Sequence, residues 1–535
     1  MKRVLKKCIC LMVLFYQAIN LSASDVNNLI EFNTQKFKFI LETAVRNHID
    51  TFDIEQASES AFQAMLNFLD NQSNYYSAKQ LKEYQEKNTG RAEGIGITPV
   101  ALNDSVVVGS VQKNSPAEKA GISRGDILLF VDNQAVTGKS QQEVNDLLAG
   151  DTGTVVNLIL KNTRGELKNF VVGREIFKVS SIAASFYLKS SKIGYIASSR
   201  FTSDVYTDLT TEIDNFLKKG LEYLIIDLRG NPGGYLDEVV KVTAEFLPKN
   251  SLILYTNSKN SEFSFNFRTD KDGKYLKIPL ILLVDGQTAS AAEILAAALQ
   301  DHDRAIVLGE NTFGKGTVQR LWTLKDGSGF RLTVAEYFSP IGRRIDKRIL
   351  KKNSGKFELD ESLKLSVGEE TFKEISRAFE ETGGATRLPT YTTNKGRTLI
   401  SKGGVFPDEL VRSDTLTLLS RVLMNRGILF EFTRKLYFSF YQKTMKNEYR
   451  ELESFLQNFN VDEQLYNDFY QFSLSKNIWN VEMARIDEQN IKNLIKSYLA
   501  LWHWDNPGFY ATRVFDDKVL HKAISIKEKA KSLIN

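Results

Sequence analysis

The chain has 535 residues, 42% of them hydrophobic and 25% charged, with nine prolines and a formal net charge of +5. That length predicts roughly two to four domains, and the composition excludes a disordered or low-complexity chain. Both cysteines, Cys8 and Cys10, and four cations with no acid lie in the first 24 residues; removing four positive charges from +5 leaves +1 and no thiol, which excludes disulfides, thiol catalysis and a basic surface for nucleic acid.

Residues 1–24 pair the cations Lys2, Arg3, Lys6 and Lys7 with an apolar run from Cys8 to Tyr16 and the small residues Ser22, Ala23 and Ser24. This is the pattern of an export signal, and the run is too short for a membrane span, which needs roughly 20 residues. Residues 25–90 predict a helical N-terminal domain, because Phe37, Ile40, Leu41, Ala44 and Val45, then Phe62, Met65, Leu66 and Leu69, recur at helical spacing. Residues 91–175 change to β-branched runs broken by Gly, Asn and Asp, the mark of a compact β module. In residues 176–349 strand-like runs (KIGYIAS, YLIIDL, PLILLV, AIVLG) alternate with helices over Leu236–Leu247 and Ser290–Leu299, which argues an α/β core. A charged insertion is expected at 350–391 and a return to the core at 392–414. A helical extension follows at 415–535, in which Ile491, Leu494, Ile495, Tyr498 and Trp502 share one face. Its aromatics Phe430, Phe432, Tyr437, Phe438, Phe440 and Tyr441 are expected to pack as core.

The most informative stretch is DGQTASAAEILAAALQDHDRAIVLGENTFGKGTVQ. Ser290 follows a strand and a turn and opens an alanine-rich helix, whose free N–H groups and dipole favour negative charge nearby. Ser290 and Glu293 also have the spacing of a capping box, which requires no catalytic role. Lys315, between Gly314 and Gly316, lies a helix, a strand and a loop further on, a path that can return it to the same end of the sheet. To act as a base its amine must fall by roughly two units from about 10.4, near 3 kcal/mol, and burial beside Phe313 is the expected means. If Thr317–Leu321 is a strand, Gln319 shares a face with Lys315 and is placed to orient it. Three rivals fare worse. Gly309, Gly314 and Lys315 approximate a phosphate-binding loop, but Gly316 stands where Ser or Thr should bind magnesium, and a strand pattern follows where a helix is needed. A triad through His302 meets no G-x-S-x-G elbow and puts the histidine beyond the far end of the helix. Metal chemistry finds no support in the scattered His48, His302, His503 and His521.

In order along the chain, LDNQSNYYS, GIGI, SPAEKAGISRGDILLFVDNQ, KIGYIASSRF, LIIDLRGNPGGYLDE, TASAAEILAAALQD, GENTFGKGTVQ, LTVAEYFSPIGRRI and GGVFPDELV resemble the C-terminal processing peptidases, or tail-specific proteases, over roughly Leu69–Val411. The resemblance implies an α/β protease core preceded by a PDZ domain, with Ser290 as nucleophile, Lys315 as general base and Gln319 holding the lysine. It further implies an oxyanion hole at the N–H groups of Gly233 or Gly234 and Ala291. In the PDZ-like module the loop Gly94, Ile95, Gly96 and Ile97 would cradle a terminal carboxylate while the peptide adds as a strand, and the module would present tails or gate the site.

The expected protein is therefore an exported serine endopeptidase acting on proteins or peptides with accessible C-termini, with no cofactor and no nucleic acid, in a bacterial periplasm or cell envelope. A homodimer, an adaptor and a membrane tether stay open. The alternative is a catalytically silent PDZ scaffold that binds exported proteins.

Overall fold

The computed structural model describes residues 23–102, 105–347, 390–401, 403–412, 416–514 and 517–534. The expected export signal, apart from its last residues, and nearly all of the expected insertion at 350–391 lie outside the described residues. The chain divides into two compact units, residues 1–78 with 321–332, and residues 79–320 with 333–535.

In the first unit, α1 (Ala23–Asn47) and α2 (Ile54–Leu69) follow the predicted periodicity. Asp53 starts α2 by accepting the N–H groups of Glu55 and Gln56 at 2.9 and 3.1 Å. β1 (Asn74–Tyr76) pairs with residues 329–331. The expected apolar faces are only partly covered: Leu66 is buried, whereas Ile40 and Met65 are mostly exposed. Among the described residues of this unit, the two helices, β1 and the strand segments of 321–332 enclose these faces only in part.

In the second unit α3 (Ala78–Thr89) leads into the β module. There β2 (Arg91–Gly94) pairs with β9 (Glu175–Lys178), bringing the module's two ends together. Between them β3 (Ile97–Ala101), β4 (Val106–Val111), β5 (Ile127–Val131), β6 (Gln134–Ala135), β7 (Val155–Lys161) and β8 (Leu167–Gly173) form an antiparallel sheet in the order β3-β4-β5-β7-β8, with β6 on β5. Helices α4 (Pro116–Ala120) and α5 (Gln141–Leu148) complete it over a core that includes Val108, Leu128, Val144 and Leu158.

The central sheet is built from β10 (Ile182–Leu188), β11 (Ile193–Ser198) and β12 (Tyr223–Asp227). After the side hairpin β13 (Leu252–Asn257) and β14 (Asn266–Arg268) come β15 (Leu280–Val284) and β16 (Ala305–Gly309). β17 (Thr317–Thr323) pairs with β18 (Gly329–Phe338), which in turn pairs with β13, and β19 (Thr390–Thr392) pairs with β20 (Thr398–Ile400) before β21 (Glu409–Leu410) closes the central sheet. The order is β10-β11-β12-β15-β16-β21, parallel from β11 onward. Every residue of β11, β12, β15 and β16 is buried, as in a parallel sheet covered on both faces.

Helices α6 (Val205–Lys218), α7 (Leu236–Ala244) and α8 (Ala291–Asp301) cover the face that presents Ile196, Ile226, Leu282 and Val307. The other face, with Tyr195, Ile225, Leu283 and Ile306, is covered by the C-terminal extension. That extension comprises α9 (Leu418–Asn425), α10 (Ile428–Leu436), a π-helical turn (Tyr437–Tyr441), α11 (Gln442–Glu448), α12 (Leu452–Asn458), α13 (Glu463–Ser475), α14 (Val481–Val514, kinked at Asp505), α15 (Lys518–Ser525) and α16 (Lys527–Ser532). Its aromatics pack as core around Ile491, Ile495 and Trp502, except Phe440, which is 69% exposed. The same cluster takes in Leu102 and Val107 of the β module.

Candidate active site

The loops that leave the C-terminal ends of β12, β15 and β16 converge, which is where open α/β sheets build their sites. The β15–α8 turn is organised by Asp285, whose carboxylate accepts the N–H groups of Gln287 and Thr288 and, from the loop after β12, the N–H of Gly230 at 3.0 Å. Thr288 Oγ1 donates to the Leu228 carbonyl at 2.9 Å, and Ala289 N–H to the Asn231 carbonyl at 2.9 Å. The turn delivers Ser290 at φ +56°, ψ −118°. A non-glycine residue held there stores strain on the order of 1–3 kcal/mol, which surrounding contacts must hold in place. The backbone thus makes a sharp strand–serine–helix elbow without the G-x-S-x-G pattern whose absence the sequence showed.

Glu293, fully buried, joins this turn to the loop after β16. Its Oε2 accepts the N–H of Ser290 at 2.8 Å and the N–H of Lys315 at 2.9 Å, so these two nitrogens lie no more than 5.7 Å apart (2.8 + 2.9). Its Oε1 accepts the Gly314 N–H at 2.7 Å and the Thr312 hydroxyl at 2.5 Å. Burial pushes the Glu293 carboxyl above its ordinary value, against the pull of these four donors. A second tie comes from the buried Tyr337, whose hydroxyl donates to the Lys315 carbonyl and stands 3.3 Å from the Ser290 carbonyl oxygen. Burial, then the negative charges of Glu293 and Asp346, hold that phenol well above its usual value, so it stays a donor. Sequence reading saw Glu293 only as half of a capping box and did not find Tyr337, which lies 47 residues from Ser290.

The loop RGNPGG lies directly against the elbow. A side chain on Gly233, at φ +97°, would put its Cβ 2.7 Å from the Ala289 carbonyl oxygen, 2.8 Å from Ser290 Cβ and 2.9 Å from the Ala291 nitrogen; one on Gly234 would overlap the Phe201 carbonyl at 2.0 Å. Of the three expected oxyanion donors, Gly233 needs correction, because its N–H is donated to Asn231 Oδ1 at 2.9 Å. The N–H groups of Gly234 and Ala291 have no paired acceptor among the described residues.

The other expected residues lie at the margins of this turn or apart from it. Lys315 is half-buried, and the cation against the Phe313 ring is Lys347, 3.6 Å from its centroid. Gln319, on β17, donates its amide to Thr317 Oγ1 at 2.7 Å. His302 caps the far end of α8 and bonds the Leu252 carbonyl, remote from Ser290. In the β module Gly94 and Gly96 take φ +137° and +85°, and a Cβ on Gly96 would collide with Ser115, so the GIGI loop has the close-packed, left-handed geometry that glycine permits.

The description of peptidase family S41 matches residues 192–353, that of a PDZ domain residues 107–162, and a family of unknown function (DUF8443) residues 419–505. A carboxy-terminal-processing protease of Bartonella bacilliformis is 33% identical over 354 residues, 62% of this chain and 79% of the relative. The carboxy-terminal processing protease CtpA of Bacillus subtilis is 34% identical over 58% of this chain and 66% of its own. A solved photosystem II D1 C-terminal processing protease is 28% identical over 59% of this chain and 85% of its own, with a TM-score of 0.33. By the extent and identity of the Bartonella match, this chain belongs to peptidase family S41, among the carboxy-terminal processing proteases, and carries a PDZ domain.

Proposed function

We propose that the protein is an exported serine endopeptidase in which Ser290 is the nucleophile and Lys315 the general base. Ser290 Oγ forms a bond to the scissile carbonyl carbon as its proton passes to the neutral Lys315 amine. The N–H groups of Gly234 and Ala291 hold the oxyanion, the C–N bond breaks as the lysine gives the proton to the leaving amine, and water hydrolyses the acyl-enzyme. Gln319 steadies the lysine, and the PDZ domain grips the substrate's C-terminal tail through the loop Gly94–Ile97. The reading needs no cofactor, adaptor, second copy or membrane tether. Residues 1–24 act as its export signal into the periplasm or cell envelope.

The observation that supports this most is the single Glu293 oxygen shared by the N–H groups of Ser290 and Lys315, which holds two residues 25 positions apart within one site. The strain at Ser290 argues against a silent scaffold, since a capping serine needs no such backbone. The test is degradation of an unfolded protein with an apolar C-terminus, together with fluorophosphonate labelling. Ser290→Ala and Lys315→Ala are expected to lose both while melting normally, and activity persisting in either defeats the assignment. Cell fractionation with N-terminal sequencing checks export, which a cytoplasmic, uncleaved chain would overturn.

A further inference from the structure

The groove of the PDZ domain is bounded by β3 and α5, and its binding capacity can be read from the backbone of β3. At one end Gln112 N–H donates to the Gly96 carbonyl at 2.8 Å, and at the other Leu102 N–H donates to the Ser105 carbonyl at 2.8 Å. With Ile97 opposite Val111 and Ala101 opposite Val106, these bonds make both pairs of the non-hydrogen-bonded kind. Ile97, Pro99 and Ala101 therefore turn their main-chain groups away from β4, toward the open edge where a peptide strand would add.

That edge is closed over most of its length. Pro99 has no N–H to give. Its carbonyl accepts the Gln141 side-chain amide at 2.7 Å, and the Ala101 N–H donates to the Gln141 carboxamide oxygen at 3.1 Å. Gln141 is the first residue of α5, which Ser140 and Glu143 fix with a capping box. Its carboxamide thus occupies the acceptor and donor that a bound peptide would use two and four residues before its end. What stays open is the start of β3: the N–H groups of Ile95, Gly96 and Ile97 have no paired acceptor among the described residues, and the Ile97 carbonyl faces the groove. Ile97 and Leu147 are partly exposed at the margin of the module's core, an apolar surface for one terminal side chain.

Building on the proposal that this domain binds C-terminal tails, we infer that it reads chiefly the free carboxylate and the last residue of its substrate, because Gln141 and Pro99 remove three of the four main-chain groups that residues upstream would pair with, leaving only the Ala101 carbonyl. The substrate class is then any accessible, unfolded tail with a free carboxylate and an apolar final side chain, whatever the preceding sequence. Such recognition is sequence-tolerant and suits capture of many different tails.

The test uses the full chain carrying Ser290→Ala, so that peptides are bound and not cut, and fluorescein-labelled decapeptides ending Leu-Ala-Val followed by anisotropy. Single ester-for-amide replacements delete one peptide N–H at a time. Deleting the N–H of the last residue is expected to weaken binding about three- to tenfold, the range of one net hydrogen bond, and deleting that of the third-last residue less than twofold. Adding Gln141→Ala frees the Pro99 carbonyl and makes the third-last ester costly, threefold or more. A third-last ester as damaging as the last-residue ester with Gln141 intact, or no change on Gln141→Ala, overturns the inference. Failure of the acid peptide to bind, or equal binding by its C-terminal amide, overturns the tail-binding proposal itself.

Discussion

Glu293→Gln is the substitution that most directly tests how Ser290 and Lys315, the proposed nucleophile and base, are held together. Four donors converge on this carboxylate, three of them backbone N–H groups that cannot turn round. An ionised carboxylate accepts all four, whereas a carboxamide must aim its own NH2 at one pair. Turned toward Thr312 and Gly314, it can be met by the Thr312 hydroxyl, which rotates, but the Gly314 N–H is orphaned. Turned the other way, it orphans both Ser290 and Lys315. Hydrogen bonds to a charged group contribute about 1.5–3 kcal/mol each, and part of that loss is offset because a charge is no longer buried. A net destabilisation of about 2 kcal/mol is expected, or roughly 4–8 °C in the melting of a core this size. The chemical effect should be larger, since displacement of a reacting group by about 1 Å costs on the order of 100-fold. Scanning calorimetry and the second-order rate of fluorophosphonate labelling measure the two separately. If burial instead keeps Glu293 protonated, glutamine is close to an isostere. Unchanged melting with labelling within twofold of the parent would therefore refute the clamp.

Gly233→Ala puts a methyl group 2.7 Å from a backbone oxygen and 2.8 Å from Ser290 Cβ, so the elbow must move, and labelling should fall at least tenfold. Gly230→Ala meets nothing within 4 Å and should show only the cost of a left-handed alanine, about 1–2 kcal/mol in the melt. The buried Arg343 and Asp301 pair at 2.5 Å, so Arg343→Met alone should cost about 3–5 kcal/mol, and adding Asp301→Leu should recover much of it in a denaturation double-mutant cycle. Glu93 is held at about 2 by its bond to Lys82, then by Thr152, so it binds a proton less readily folded than unfolded. The stability it contributes is present above the unfolded value near 4.5 and is lost as pH falls toward 2; Glu93→Gln should flatten the melting temperature across that window, as scanning fluorimetry between pH 5 and 2.5 will show.

The central sheet was legible because β11, β12, β15 and β16 are buried on both faces and read as unbroken apolar runs, while α6, α7 and α8 carry helical spacing between them. The approach of the Ser290 and Lys315 backbones was legible for a different reason: strand, turn and helix lengths confine where the chain can return. Glu293 was not, because a residue that only caps its helix and one that joins two loops share the same S-x-x-E spacing, and the difference lies in Thr312, Gly314 and Lys315, which reach it from outside the helix. The contact of Lys347 with the Phe313 ring was not legible, since 34 residues separate the two and nothing in their spacing brings them together. The apolar faces of α1 and α2 were correctly periodic, yet periodicity specifies a face and not what covers it.

The helical extension illustrates the same limit with larger consequences. A parallel sheet needs cover on both faces, and the helices between its strands supply only one here; Ala511, Val519, Leu520, Ala523 and Ala530 supply the other. Farther up the extension, Leu423, Leu429 and Trp502 share a core with Leu102 and Val107 of the PDZ domain. Arg434 donates to the Gly125 carbonyl at 2.8 Å, while Arg124 donates to the Leu501 carbonyl at 2.9 Å and pairs with Asp505 at 2.6 Å. Each fully buried aliphatic side chain at such a junction contributes about 1.5–3 kcal/mol. A swing of the PDZ domain away from this position would expose several of them and break these polar contacts together. The extension is thus a layer of the protease core at one end and a seat for the PDZ domain at the other, with α14 contributing Trp502 to the core shared with the PDZ domain and Ala511 to the cover of the sheet.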